Sequence, residues 1–169
     1  MKSICALMSV AILGFWASAS RADEKDRPTD EKFLVKLASC GHTVVELSKL
    51  ADKQNASAPV KEFATMMITD HQKCSEKVAE EIKNRKIAVV TGLEPAAKAD
   101  RDRLNQLKGD EFDRAYMDWT INGHKEAIAI FDNQIKNGKD AQIRSFAQEN
   151  LPKMQEHLKR AEEIRKNVK

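Results

Sequence analysis

Glycine and proline are scarce in this chain, six and four among 169 residues, so there are few points at which a helix must break. Alternating apolar and polar spacing is missing as well: the Val, Ile and aromatic residues recur at helical intervals, and nothing reads as a sheet. An apolar run long enough to cross a bilayer is absent, since the stretch from Ile4 to Ala17 falls short of the roughly 20 residues required. Excess positive charge is also lacking. Basic and acidic residues number 29 and 26 and interleave along helix faces, which describes a solvated surface and excludes an electrostatic footprint for nucleic acid.

What is present begins with a leader. Lys2 precedes the apolar run, and small residues follow it in Ala17-Ser18-Ala19 and Ser20-Arg21-Ala22. This is a secretory signal pattern over residues 1–22, with cleavage expected after Ala22 and Ala19 as the alternative. Cys5 lies too early to carry a lipid at a cleavage point. Cleavage removes Lys2 and Arg21 and no acidic residue, leaving a nearly neutral mature chain. Residues 23–169 suit one domain with one core, in a protein expected to be periplasmic or otherwise exported.

That domain reads as all-α, an antiparallel four-helix bundle with a short extra helix between its second and third long helices. The first helix is expected from Thr29 or Asp30 to about Asn55, with Phe33, Leu37, Cys40, Val44, Leu47 and Ala51 on one stripe. Pro59 suits the first turn of the second, whose stripe runs Val60, Ala64, Met67, His71, Cys74, Val78, Ile82. A short polar helix from about Ala96 to Lys108, closed by Gly109, reads as an outer strut. Asp110 is a candidate cap for the third long helix, to about residue 136, carrying Tyr116, Trp119, His124 and Phe131. The fourth, about 140–166, turns Ile143, Ala147, Met154, His157 and Ala161 inward, and Pro152 is expected to kink it.

Histidine is rare too, with four in the chain, and their spacing makes them informative. With up-down-up-down topology and turns centred between Ala56 and Ser57 and at Gly138, His42, His71 and His124 share one layer. His157 lies about 7 Å beyond it at the helical rise of roughly 1.5 Å per residue. His71, His124 and His157 fall within or beside the apolar stripes, whereas His42 points away. Neutral imidazole is the commonest protein ligand for transition metals, so three converging imidazoles point to one divalent ion such as zinc or copper. The competing reading is that each is a core histidine satisfied by a hydroxyl or carbonyl. Asp70 is adjacent to His71 and cannot face inward with it, so its role is to orient an imidazole or to lie on the surface.

Several segments together resemble a known family: Val60-Lys61-Glu62-Phe63-Ala64 with Met67 and Asp70-His71; Glu111-Phe112-Asp113-Arg114-Ala115-Tyr116-Met117 with His124; Phe146-Ala147 with Leu151-Pro152 and His157-Leu158. From about Asp30 to Ala161 the chain is similar to the ferritin-like helical domain of exported bacterial proteins catalogued as domain of unknown function 4142, whose members are often labelled membrane or outer-membrane proteins. The resemblance implies a ferritin-like bundle in which Glu46, His71, His124 and His157 occupy the recurrent polar positions. It brings Glu46 into the candidate site as a fourth ligand, although the helical wheel leaves that residue off the centre of the core face. Cys40 and His42 depart from the family pattern, and no activity comes with the resemblance.

A ferritin-like fold invites comparison with di-iron proteins, which combine a Glu on each of two helices with two Glu-x-x-His motifs. No Glu-x-x-His occurs in this sequence, so a mononuclear His-rich site is favoured over ferroxidase chemistry. Cys40 and Cys74 are nearly level on the first two helices, and either a disulfide or two buried thiols fits them. Met66, Met67 and Met154 have core spacing and fill gaps in packing. Two function classes follow. One is a metal-binding bundle using His71, His124, His157 and Glu46; the other is a non-enzymatic interaction module binding an envelope protein partner, its polar core residues satisfying one another. Enzymatic activity has no motif in its favour.

Overall fold

The computed structural model describes residues 29–168, and these are all-helical. The leader lies outside the described residues. Helix α1 covers Thr29–Ser48, α2 Leu50–Lys53, α3 Ala58–Asn84, α4 Pro95–Asn105, α5 Gly109–Asn137 and α6 Ala141–Asn167. None of the described helices is long and apolar enough to cross a membrane.

Local chemistry accounts for the ends. Asp30 and Glu31 sit in the first turn of α1, where the helix dipole favours negative charge. Pro59 occupies the first turn of α3 and Pro95 that of α4, positions whose missing N–H would have had no intrahelical partner. Asp140 caps α6, its carboxylate accepting from the Gln142 and Ile143 amides at 2.8 and 3.2 Å. Helix α6 runs through Pro152, which is exposed.

Three boundaries depart from the sequence reading. The first helix breaks at Lys49 and resumes as α2. Helix α4 ends at Asn105, and Gly109 does not close it. With φ of 50°, a region where glycine escapes the Cβ penalty, Gly109 instead turns the chain into α5. Its amide donates to Gln54 O at 2.9 Å. The cap position of α5 is Lys108 rather than Asp110.

Helices α1 and α3 pack along one another, as do α5 and α6, while the approaches of α1 to α5 and of α3 to α6 are sparser. Buried carboxylates join the pairs at both ends. Asp30, at the start of α1, accepts from the Lys139 amide at 3.0 Å and the Asp140 amide at 3.2 Å, and from the Gln134 side chain. Asp113, near the start of α5, accepts from the Ser57 amide at 3.0 Å. The start of α1 therefore adjoins the α5–α6 turn, and the start of α5 adjoins the turn before α3. The two turns lie at opposite ends, which corrects the up-down-up-down expectation: α3 and α5 run the same way, and the segment through α4 carries the chain back. Glu94 receives the Ser39 hydroxyl at 2.7 Å and Asn105 the Gln54 amide at 2.9 Å. Trp119 Nε1 donates to Asp100 at 3.2 Å. These bonds lay α4 across the gap between α1 and α5.

The core divides into two apolar clusters. One gathers Leu47, Phe63, Met67, Phe112, Tyr116 and Met117; the other gathers Phe33, Leu34, Val78, Phe131, Ile143 and Ala147. On α3, α5 and α6 the histidine falls between the residues given to one cluster and those given to the other. Helix α1 is rotated relative to the expected stripe: Gly41, Val45 and Ser48 are buried, whereas Leu37, Cys40 and Val44 are half-buried. The absence of a side chain at Gly41 explains this, because a Cβ there would stand 2.7 Å from Ser75 Oγ on α3. The two helices close on that face.

Candidate metal centre

Helices α3, α5 and α6 each contribute one histidine to the polar layer between the clusters. The ring centroids of His71 and His124 are 5.9 Å apart, those of His71 and His157 5.7 Å, and those of His124 and His157 5.5 Å. One nitrogen from each ring lies within 4.8 Å of the other two. His124 and His157 are 3 % and 1 % exposed.

The outer nitrogens reveal the tautomers. His124 Nδ1 lies 2.9 Å from Thr120 O; a carbonyl can only accept, so the proton is on Nδ1 and Nε2 carries a bare lone pair. His157 Nε2 lies 3.0 Å from Asp70 Oδ2, which leaves its Nδ1 bare by the same reasoning. His124 Nε2, His157 Nδ1 and His71 Nε2 are all buried and make no hydrogen bond. Two lone pairs converge with no proton between them, and the third ring turns its own unpartnered nitrogen to the same place. Imidazoles that satisfied one another would be hydrogen-bonded, and these are not.

Burial, reinforced by the neighbouring imidazoles, pushes His71 down to about 3. His124 is pushed down to about 4, chiefly by burial and against its hydrogen bond to Thr120. Burial also lowers His157, with Asp70 opposing. Partial burial would raise the Asp70 carboxyl, yet the hydrogen bonds from His157 and Lys153 outweigh it and hold the group below its ordinary value. The trio is thus neutral, the state in which imidazole binds metal. A carboxylate behind one ring and a carbonyl behind another fix orientation and raise basicity, as outer partners do at metal sites. A tetrahedral ion with roughly 2.0–2.1 Å bonds needs donors about 3.3 Å apart, so the rings must draw in slightly around it.

The other candidates lie elsewhere. Glu46 does not join the trio: its carboxylate pairs with Lys49 at 2.7 Å, and this hydrogen bond holds it below its usual range. His42 is exposed, as its position off the stripe predicts. Cys40 and Cys74 are free thiols, raised above their ordinary value by burial. Cys40 lines the space beneath α4, whereas Cys74 packs against the cluster around Phe33. Among the described residues no other group of three or more His, Cys, Asp or Glu side chains comes together.

The sequence reading missed a cavity of about 940 Å³ between α1, α4 and α5 that reaches His71 and His124. Its one sequence signal is Gly123, a glycine in the middle of a long helix beside His124.

No curated protein and no solved structure matches the chain. A family model described as a domain of unknown function, DUF4142, matches residues 16–164. The match spans the whole polar layer and both apolar clusters, and the chain belongs to the DUF4142 family, whose name records a domain without an assigned function.

Proposed function

We propose that this is an exported metal-binding protein, a ferritin-like four-helix bundle over residues 23–169 that holds one divalent transition ion through His71, His124 and His157. The observation that carries the reading is the set of three buried imidazole nitrogens that face one another without hydrogen bonds. Each buried unpartnered polar atom costs about 1–3 kcal/mol; an ion would offset that cost at all three positions. Neutral imidazoles suit zinc and copper, and the shortage of carboxylates around the trio disfavours a di-iron centre. The signal pattern of residues 1–22 supports export to the periplasm, where metal handling is the role such a site would serve. Glu46, engaged by Lys49, is left out of the donor set.

The test is thermal unfolding of chelator-stripped mature protein with zinc, copper, manganese or iron, beside His71→Ala and His124→Ala. One metal should stabilise the wild type, by about 2.7 kcal/mol at a hundredfold excess over Kd, and neither variant. A wild type indifferent to every metal would overturn the site and favour a bundle that only binds an envelope partner.

A further inference from the structure

The closure of the histidine layer bears on which ion suits it. His71 Nε2, His124 Nε2 and His157 Nδ1 are shut off from solvent, and among the described residues no cysteine or carboxylate joins them. Zinc takes four donors, either all from the protein or three with a water. The trio offers three. Copper(I), softer and with a filled d shell, is stable with three. Charge points the same way, because imidazole binds metal as a neutral group. Asp70 lies behind His157 at 3.0 Å, and Lys153, 3.2 Å from the same carboxylate, already balances it. A dication entering this layer between two apolar clusters therefore finds no anionic donor. The Born cost of burying an ion rises with the square of its charge, about fourfold from +1 to +2. Met154 lies three residues before His157 on α6, a same-face spacing, and is 6 % exposed. Its uncharged thioether is a soft donor, of the kind that selects copper(I).

We infer that the histidine layer is selective for copper and favours its monovalent state: His71, His124 and His157, closed to solvent and without an anionic donor, hold copper(I) more tightly than copper(II) or zinc(II). This rests on the metal-binding reading above; among the ions allowed there it selects copper and adds that the reduced form is the better held. A divalent ion is left short of a fourth donor and of two countercharges, whereas the monovalent ion lacks one countercharge and no donor.

The test is anaerobic titration of chelator-stripped mature protein with copper(I) against bathocuproine disulfonate, beside titrations with copper(II) and zinc(II) against chromophoric chelators. One copper(I) per chain should bind, on the order of a hundredfold more tightly than either divalent ion. Cyclic voltammetry of the copper-loaded protein should place its couple above that of aqueous copper. X-ray absorption should show three nitrogen neighbours, alone or joined by one sulfur that Met154→Leu removes. His124→Leu, with its helicity checked by circular dichroism, should lose tight copper(I) binding. Zinc(II) or copper(II) held as tightly as copper(I) would overturn the selectivity and leave metal binding intact. A fourth nitrogen or oxygen neighbour on copper(I) would overturn it too, since the site would not be closed. Undiminished copper(I) binding in folded His124→Leu would place the ion outside the trio. Failure of all three ions to bind would remove both readings together.

Discussion

The interior holds two kinds of buried polar group, and they differ in what they lack. Asp30 and Asp113 are 9 % and 1 % exposed, and each accepts backbone hydrogen bonds from a turn of the opposite helix pair. His124 and His157 are as deeply placed and His71 is half-buried, yet the inner nitrogens of all three have no partner. A satisfied buried carboxylate fixes where two helix pairs meet. The proposed metal would supply the partner that these three nitrogens lack. Unpartnered oxygens also occur on Gln54, Thr120 and Gln134, but the three imidazoles come together, and substitutions should separate the scaffold from the proposed site in the same way.

The largest effect is expected on the scaffold side. Asp30→Ala removes the acceptor for two turn amides and the Gln134 side chain, and hydrogen bonds to a charged group contribute about 1.5–3 kcal/mol each. Urea unfolding of the metal-free protein should lose on the order of 4 kcal/mol, with metal affinity of the remaining folded fraction unchanged. His124→Leu should do the converse. Apolar replacement of an unsatisfied polar group is nearly neutral or stabilising, so the apo midpoint should stay within about 1 kcal/mol while metal stabilisation disappears. A severe loss in apo His124→Leu would mean that the imidazole is a structural group after all, and the comparison would break.

Acid should expose the same contrast. His71 and His124 are lowered to about 3 and about 4 by burial, against an unfolded value near 6.5. Between pH 6.5 and 4 the unfolded chain therefore binds protons that the folded chain refuses, and apo stability falls as pH falls, by about 1.4 kcal/mol per pH unit for each such histidine. Above pH 6.5 neither histidine contributes a slope. Denaturant midpoints measured from pH 7 to 4.5 should decline in the wild type and decline less in His71→Leu. Equal slopes would show that His71 titrates normally and is not buried neutral.

Much of the layer was legible from spacing, for a reason that the wrong topology makes plain. His124 sits at the middle of α5, so reversing that helix scarcely changes its height, and the trio survives the correction that places the two turns at opposite ends. His157 was expected about 7 Å beyond the layer, away from both turns; with the turns at opposite ends the same spacing puts it on the side of the Ser57 turn. Helical side chains lean toward their own N-terminus. On α6, which runs opposite to α3 and α5, that lean carries His157 toward His71 and His124, while theirs carries them toward it. Glu46 shows the limit of the method. The rotation of α1 that Gly41 permits was not readable from hydrophobic periodicity, and it buries Val45 and Ser48 while leaving Glu46 with Lys49. The cavity was illegible because it arises from how α4 bridges α1 and α5, a tertiary arrangement that no local pattern encodes.

The smallest predicted effect probes the boundary between the two classes, because Asp70 belongs partly to each. It is half-buried, it takes the proton-bearing nitrogen of His157 at 3.0 Å, and it pairs with Lys153 at 3.2 Å. As a surface ion pair it should contribute under about 1 kcal/mol, so Asp70→Asn should barely move the apo midpoint. As the group behind a metal ligand it should matter more: the amide oxygen can still accept from His157, but the lost charge lowers the basicity of the inner nitrogen, and such changes cost about 10–100-fold in metal affinity. Lys153→Ala provides the control. Removing the lysine leaves the carboxylate more basic, so affinity should hold or rise slightly. Competition against a chromophoric chelator measures both variants. Equal losses in the two would reduce Asp70 to a surface charge; a loss confined to Asp70→Asn would place it with the site.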